Sequence, residues 1–151
     1  MKPVLQALVL AERIYTDVSG KKIIAGTFNQ LVIAKMKPNA TESQDGTKTM
    51  SLPGGTDPGC PSAYISLTDV VDGTEISMQM VNVSKNVILF QALAKIASHD
   101  RLATVEIIAP LPPMAVFARE PGTLSFDLVW AGEILGSHRL IVSESNTDEP
   151  V

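Results

Sequence analysis

Residues 123–142 carry the pattern that most restricts the fold. In TLSFDLVW, Leu124, Phe126, Leu128 and Trp130 alternate with Thr123, Ser125, Asp127 and Val129. That period of two suits a strand with one apolar face and does not suit a helix. Ala131-Gly132 then supplies a tight turn and EILGSHRLIVSE resumes as a partner strand, with Leu135, Arg139 and Ile141 opposed to Ile134, His138, Leu140 and Val142. A chain with this hairpin needs a second apolar layer to cover it.

The remaining segments supply candidates for that layer. Ile76, Met78 and Met80 alternate with Glu75, Ser77 and Gln79, and Asp72-Gly73 predicts a hairpin turn back to SAYISLTDVV. Residues 21–34, KKIIAGTFNQLVIA, are rich in β-branched residues, contain Gly26 and follow the turn residues Ser19-Gly20, which predicts one strand. ATVEIIAPL adds another before Pro110, Pro112 and Pro113, which cannot continue a central ladder. Two segments, VLQALVLAERIY and VILFQALAKIA, suit either period and are long enough for helices. Strands are the expectation for both, because a fully buried strand also reads as a continuous apolar run. Residues 3–15 are then the first core element and not a leader, since Gln6 breaks the apolar run and Glu12-Arg13 end it.

About eight short strands without strand–helix alternation predict an all-β antiparallel sandwich. A single domain over residues 1–144 is expected, with a long polar, Pro/Gly-rich loop insertion at 35–61 and a disordered tail at 145–151. The chain's 151 residues can bury a core without staples, and its lone cysteine favours a reducing compartment, hence a cytoplasmic location. With 12 basic against 16 acidic residues and no basic cluster beyond Lys21-Lys22, nucleic acid is not an expected partner. No run approaches the roughly 20 apolar residues of a membrane-spanning helix. The sequons at Asn39 and Asn82 have no meaning in a chain that stays inside the cell.

QALVLAERIYTDVSGKKIIAGTFNQL near the start, CPSAYISLTDV, and the closing GEILGSHRLIV together resemble an uncharacterised bacterial family of small proteins, a domain of unknown function. The resemblance covers most of the chain outside the long insertion. It implies a β-sandwich of immunoglobulin-like look, and no activity, cofactor or partner that attaches to a residue.

Each chemical candidate has a competing structural role. Gly54 and Gly59 have the offset of the first two glycines of a phosphate-binding loop, but Cys60 and Pro61 stand where its lysine and hydroxyl belong, and a strand follows in place of a helix. Cys60 as a nucleophile needs a base, which only His99 or His138 offers. A small, partly buried residue at a strand entrance is its expected role. His138 is expected at the core edge with a ring nitrogen on a backbone partner, and His99 in a solvated turn with Asp100 and Arg101. Two histidines without metal-binding spacing predict no zinc site, and Asp69, Asp72 and Glu75 lack the dense oxygen-ligand loop of a calcium site. No G-x-S-x-G is present. Met78 and Met80 are expected to fill core.

The leading expectation is therefore a non-catalytic interaction or assembly module with no catalytic, cofactor or metal residues. It would meet a protein partner or form a homo-oligomer through exposed strand edges or through the first strand, whose Val4, Leu5, Leu8, Val9 and Leu10 divide between both faces. The alternative is a small-ligand-binding or enzymatic domain with a site formed by the 35–61 loop.

Overall fold

In the computed structural model, which describes residues 1–34, 50–52 and 58–145, the apolar segments form strands divided between two packed sheets. In chain order they are β1 (Val4–Thr16), β2 (Lys22–Thr27), β3 (Gln30–Ile33), β4 (Met50–Ser51), β5 (Ser62–Thr68), β6 (Thr74–Asn82), β7 (Val87–Ile96) and β8 (Val105–Pro110). A single helical turn, α1 (Met114–Phe117), precedes β9 (Gly122–Trp130) and β10 (Glu133–Glu144). One sheet has the order β2-β1-β5-β8 and the other β4-β3-β10-β9-β6-β7. Among the described residues only β3 and β10 run parallel; every other pair is antiparallel.

The core lies between the sheets. Leu10, Ile65 and Leu67 from the smaller sheet meet Ile76, Met80, Phe126, Leu128 and Leu140 from the larger, all essentially inaccessible to water. Burying each such side chain is worth roughly 1.5–3 kcal/mol, so these alternating positions drive the two layers together. Both helix-compatible segments are strands, β1 and β7, and Met78 and Met80 fill core as their alternation predicts. The chain forms an all-β sandwich.

Five local expectations are corrected. Asp72-Gly73 is not a hairpin turn: β5 pairs with β1 and β8, whereas β6 pairs with β7 and β9, so this turn carries the chain from one sheet to the other. Residues 21–34 are not one strand. They break at Phe28-Asn29, where the chain leaves β2 in the smaller sheet and enters β3 in the larger. The insertion at 35–61 is not wholly loop, since β4 pairs with Val32 and Ile33 and Leu52 is buried; residues 35–49 and 53–57 lie outside the described residues. With the split at Phe28-Asn29 and β4 counted, the described residues form ten strands where about eight were expected. Ser145, expected as the first residue of the tail, is instead buried and donates its N–H to the Ile33 carbonyl at 2.9 Å; residues 146–151 lie outside the described residues.

A bulge at Leu135 also changes which side chains share a face of β10. Ile134 pairs with Val129 and Gly136 with Leu128, so Ile134 turns outward and is about half exposed, while His138, Leu140 and Val142 face inward. One extra residue in a strand reverses the alternation beyond it, and strict period-two reading misses this.

Candidate functional site

The edges of the two sheets differ in how well they are protected. A free strand edge presents unpaired N–H and C=O groups, and proteins blunt such edges by shortness, charge, proline or irregular backbone. Among the described residues, three of the four edge strands use those devices. β4 is two residues long. β8 has six residues, carries Glu106 and ends on Pro110, which has no N–H to offer. β2 has six residues, begins with Lys22 and contains Gly26 at φ +74, outside the extended range.

β7 is different. It runs for ten residues, VILFQALAKI, without glycine or proline and with Lys95 as its sole charge. Among the described residues it pairs only with β6, leaving its other flank open. Phe90, Ala92, Ala94 and Ile96 lie opposite Met80, Met78, Ile76 and Thr74 and face the core, with Phe90 packed against the Phe117 ring at a centroid distance of 5.9 Å. The opposite face holds Gln91, Leu93 and Lys95. Leu93 is 79% exposed, and Val87, Ile88 and Leu89 are also exposed at the strand's start. A bulge at Leu89 separates that apolar start from the regular ladder of Phe90–Ile96.

The surface beside this edge is held by a hydrogen-bonded ladder across four strands. Gln91 Nε2 donates to Ser77 Oγ at 3.2 Å, and Gln79 Nε2 donates to Asp127 Oδ2 at 3.3 Å. Ser125 and Ser137 hydroxyls both donate to Asp127 Oδ1 at 2.6 Å. Asp127 and Ser125 are buried although they lie on the outer face of the sheet, where side chains of neighbouring strands cover them. Their polar character gave no sign of burial, because alternation reports which face a residue occupies and not how crowded that face is.

A second concave region forms where the chain changes sheets. Glu12, Gly26, Thr27, Phe28, Asn29, Gln30 and Leu52 line a recess of about 300 Å³, and Thr27, Phe28, Asn29 and His138 line a neighbouring one of about 180 Å³. His138 has its expected role at the core edge. β5 pairs with residues 4–11 of β1, and β2 pairs with residues 11–16, so Leu10 has a flank without a strand partner. Its N–H donates to His138 Nδ1 at 3.4 Å, while Nε2 lies 2.8 Å from the Phe28 carbonyl. The first contact makes Nδ1 the acceptor, so Nε2 carries the proton and donates to Phe28. Beside it, a side chain at Gly136 would collide with Leu5, so this glycine permits the close approach of β10 to β1.

The structure does not gather the other chemical candidates. Cys60 is exposed, not partly buried as expected, because its loop is held outside the sheets: the Gly59 carbonyl accepts from Met114 N–H and the Pro61 carbonyl from Leu111 N–H, each at 3.0 Å. Gly54 lies outside the described residues, so the paired-glycine pattern is described only at Gly59, where φ is +55. His99 is exposed, and both ring nitrogens of His138 serve backbone groups. Asp72 accepts from Ser98 N–H at 3.0 Å, Glu75 is exposed, and Asp69 takes a turn conformation at φ +57. Among the described residues no three His, Cys, Asp or Glu side chains are grouped to hold a metal ion. Asn82 is buried and accepts from Lys85 N–H at 3.1 Å in the β6–β7 turn, whereas Asn39 is outside the described residues. No described helix is long and apolar enough to cross a membrane.

No family model matches the chain, and no curated protein matches it. The first strand, the other expected interaction surface because its apolar residues divide between both faces, is an inner strand of the smaller sheet. β1 lies between β5 and β2 in its sheet; β2 reaches only residues 11–16, β10 lies against the rest of that flank, and Leu5, Leu8 and Leu10 serve the core. β7 and the recess beside Phe28 remain as the candidate surfaces.

Proposed function

We propose that the chain is a non-catalytic interaction module that engages a protein partner by adding a strand to the free edge of β7. The observation that carries this reading is the contrast among edges: β4 is short, β8 ends in proline, β2 carries a positive-φ glycine, and β7 has ten residues with an exposed Leu93. Strand addition takes its affinity from main-chain hydrogen bonds and its selectivity from alternate side chains. Gln91, Leu93 and Lys95 supply those side chains here. Membership in the bacterial family of unknown function, and residence in the cytoplasm, belong to the same reading and rest on the sequence resemblance and the lone cysteine.

Capture from extract of the native cells tests this reading when three forms of the chain are compared. Leu93→Lys places a charge on the edge, and Val18→Lys places the same charge on a fully exposed turn. The reading expects Leu93→Lys to lose the captured proteins that wild type and Val18→Lys both retain. Identical capture by all three would contradict it.

The recess lined by Glu12, Asn29, Gln30 and Leu52 favours a second reading, a small-ligand site beside the 35–61 segment. A thermal-shift screen tests it, since a ligand that binds only the folded chain raises the melting temperature. Loss of such a shift in Glu12→Ala would assign the ligand to this recess.

A further inference from the structure

We infer that the strand added to β7 is β7 of a second copy of this chain, antiparallel, with the two-fold axis at Leu93. The inference rests on the edge-pairing reading above and names its partner and register. An antiparallel strand paired with its own copy makes each contact twice, so the edge must be complementary to itself when reversed.

The regular part of β7 meets that condition. The bulge at Leu89 interrupts the ladder, which leaves Phe90–Ile96 as the uninterrupted stretch opposite Thr74–Met80. Leu93 is its central residue. Reversal about Leu93 sets Leu93 against its own copy, Gln91 against Lys95, Ala92 against Ala94, and Phe90 against Ile96. The most exposed apolar side chain of the edge thus becomes the most covered.

The charges also fit. Lys95 is the strand's one charge, and this register places it across from a neutral amide and away from its own copy. The Gln91 side chain keeps a carbonyl oxygen free to accept from Lys95, because it is the Gln91 amide nitrogen that donates to Ser77. On the core-facing side, two small alanines meet at Ala92 and Ala94, flanked by the larger Phe90 and Ile96. No like charges are opposed and no proline removes a ladder donor, which are the usual barriers to edge pairing. The product is a single sheet continuous through both copies.

Sedimentation of the purified full chain across a wide concentration range tests the partner, and cross-linking tests the register. Wild type is expected to shift reversibly from monomer to dimer as concentration rises. Leu93→Lys is expected to weaken the dimer by about tenfold or more, since it removes two buried leucines and opposes two cations. In a Cys60→Ser background, Leu93→Cys is expected to join to its copy with a short bismaleimide. Leu89→Cys is not, because its copies would lie about 27 Å apart at roughly 3.4 Å per residue.

A wild-type chain that stays monomeric at every concentration would overturn the inference, as would equal cross-linking at positions 89 and 93. If the purified chain is monomeric and extract capture still depends on Leu93, self-pairing fails while the edge-pairing reading stands. If capture is also insensitive to Leu93, both fail.

Discussion

β1 and β7 share the tripeptide Gln-Ala-Leu, at residues 6–8 and 91–93, and nearly the same apolar composition, yet the fold puts them in opposite situations. In β1, Leu8 is partly buried and packs against the core, Gln6 bonds Thr68 of β5, and β10 closes on the flank that β2 does not reach, with Gly136 against Leu5 and His138 on the Leu10 N–H. In β7, the equivalent Leu93 is 79% exposed and one flank has no partner among the described residues. Composition sets how strongly a segment seeks burial, whereas topology decides whether it finds burial within one chain. β1 has what its sequence asks for; β7 does not, and that mismatch is the argument for a partner.

The largest expected effect breaks the β1 side of this contrast. Leu10→Ala removes a fully buried side chain facing the opposite sheet and should lower unfolding free energy by about 2–5 kcal/mol in denaturant titration. A loss near zero would mean that β1 is not seated between its neighbours.

Next comes the clamp that closes the flank of β1. His138→Ala leaves the Leu10 N–H and the Phe28 carbonyl without their partner and should cost about 1–3 kcal/mol. Hydrogen exchange at the Leu10 amide should accelerate in this variant before that at Leu67, and equal acceleration of both would deny the clamp a local role.

On the β7 side, Leu93→Lys should change monomer stability by no more than about 0.5 kcal/mol, because the side chain already meets water. A large loss of stability in dilute solution would place Leu93 inside the folded monomer and remove the contrast.

The smallest effect lies on the outer face of the smaller sheet, where the Tyr64 hydroxyl donates to the Glu106 carboxylate. That hydrogen bond, aided by partial desolvation and the carboxylate's charge, holds the phenol above its ordinary value of 10.0. The stabilisation is complete below that ordinary value and is lost as pH rises through the higher folded value. Ultraviolet titration should show Tyr64 ionising late in wild type and earlier in Glu106→Gln; unchanged titration would show that the bond does not form in solution.

Much of the architecture was legible in the sequence because alternation is a direct record of a two-faced sheet. Leu124, Phe126 and Leu128 are buried in β9 as their spacing requires, and Ala131-Gly132 makes the turn into β10. What was not legible depends on distant contacts. Asp72-Gly73 has the composition of a hairpin turn but links two sheets, because β5 finds β1 and β8 while β6 finds β7 and β9. The bulge at Leu135 reverses the face of Ile134 without a glycine or proline at that position to announce it. The candidate surface was only half visible. Exposed edges and the first strand both read as interaction surfaces in the sequence, and nothing within either segment says which of β1 and β7 becomes an edge. His138 was readable as a core-edge residue, but the unpaired Leu10 N–H that it satisfies exists only once β1 has been shared between β5 and β2.

Amide hydrogen exchange, read residue by residue along β1 and β7 at low and high protein concentration, tests the central claim most directly. Slow exchange is expected in β1 at Val9, whose amide is directed toward β5, and at Leu10, whose amide is held by His138, at both concentrations. Over Phe90–Ile96 of β7, the amides directed toward β6 should be slow throughout, and the alternate amides directed to the open flank should become slow only as concentration rises. Alternate β7 amides that exchange equally fast at both concentrations would contradict self-pairing. Uniform slow exchange along β7 in dilute solution would contradict the open edge itself.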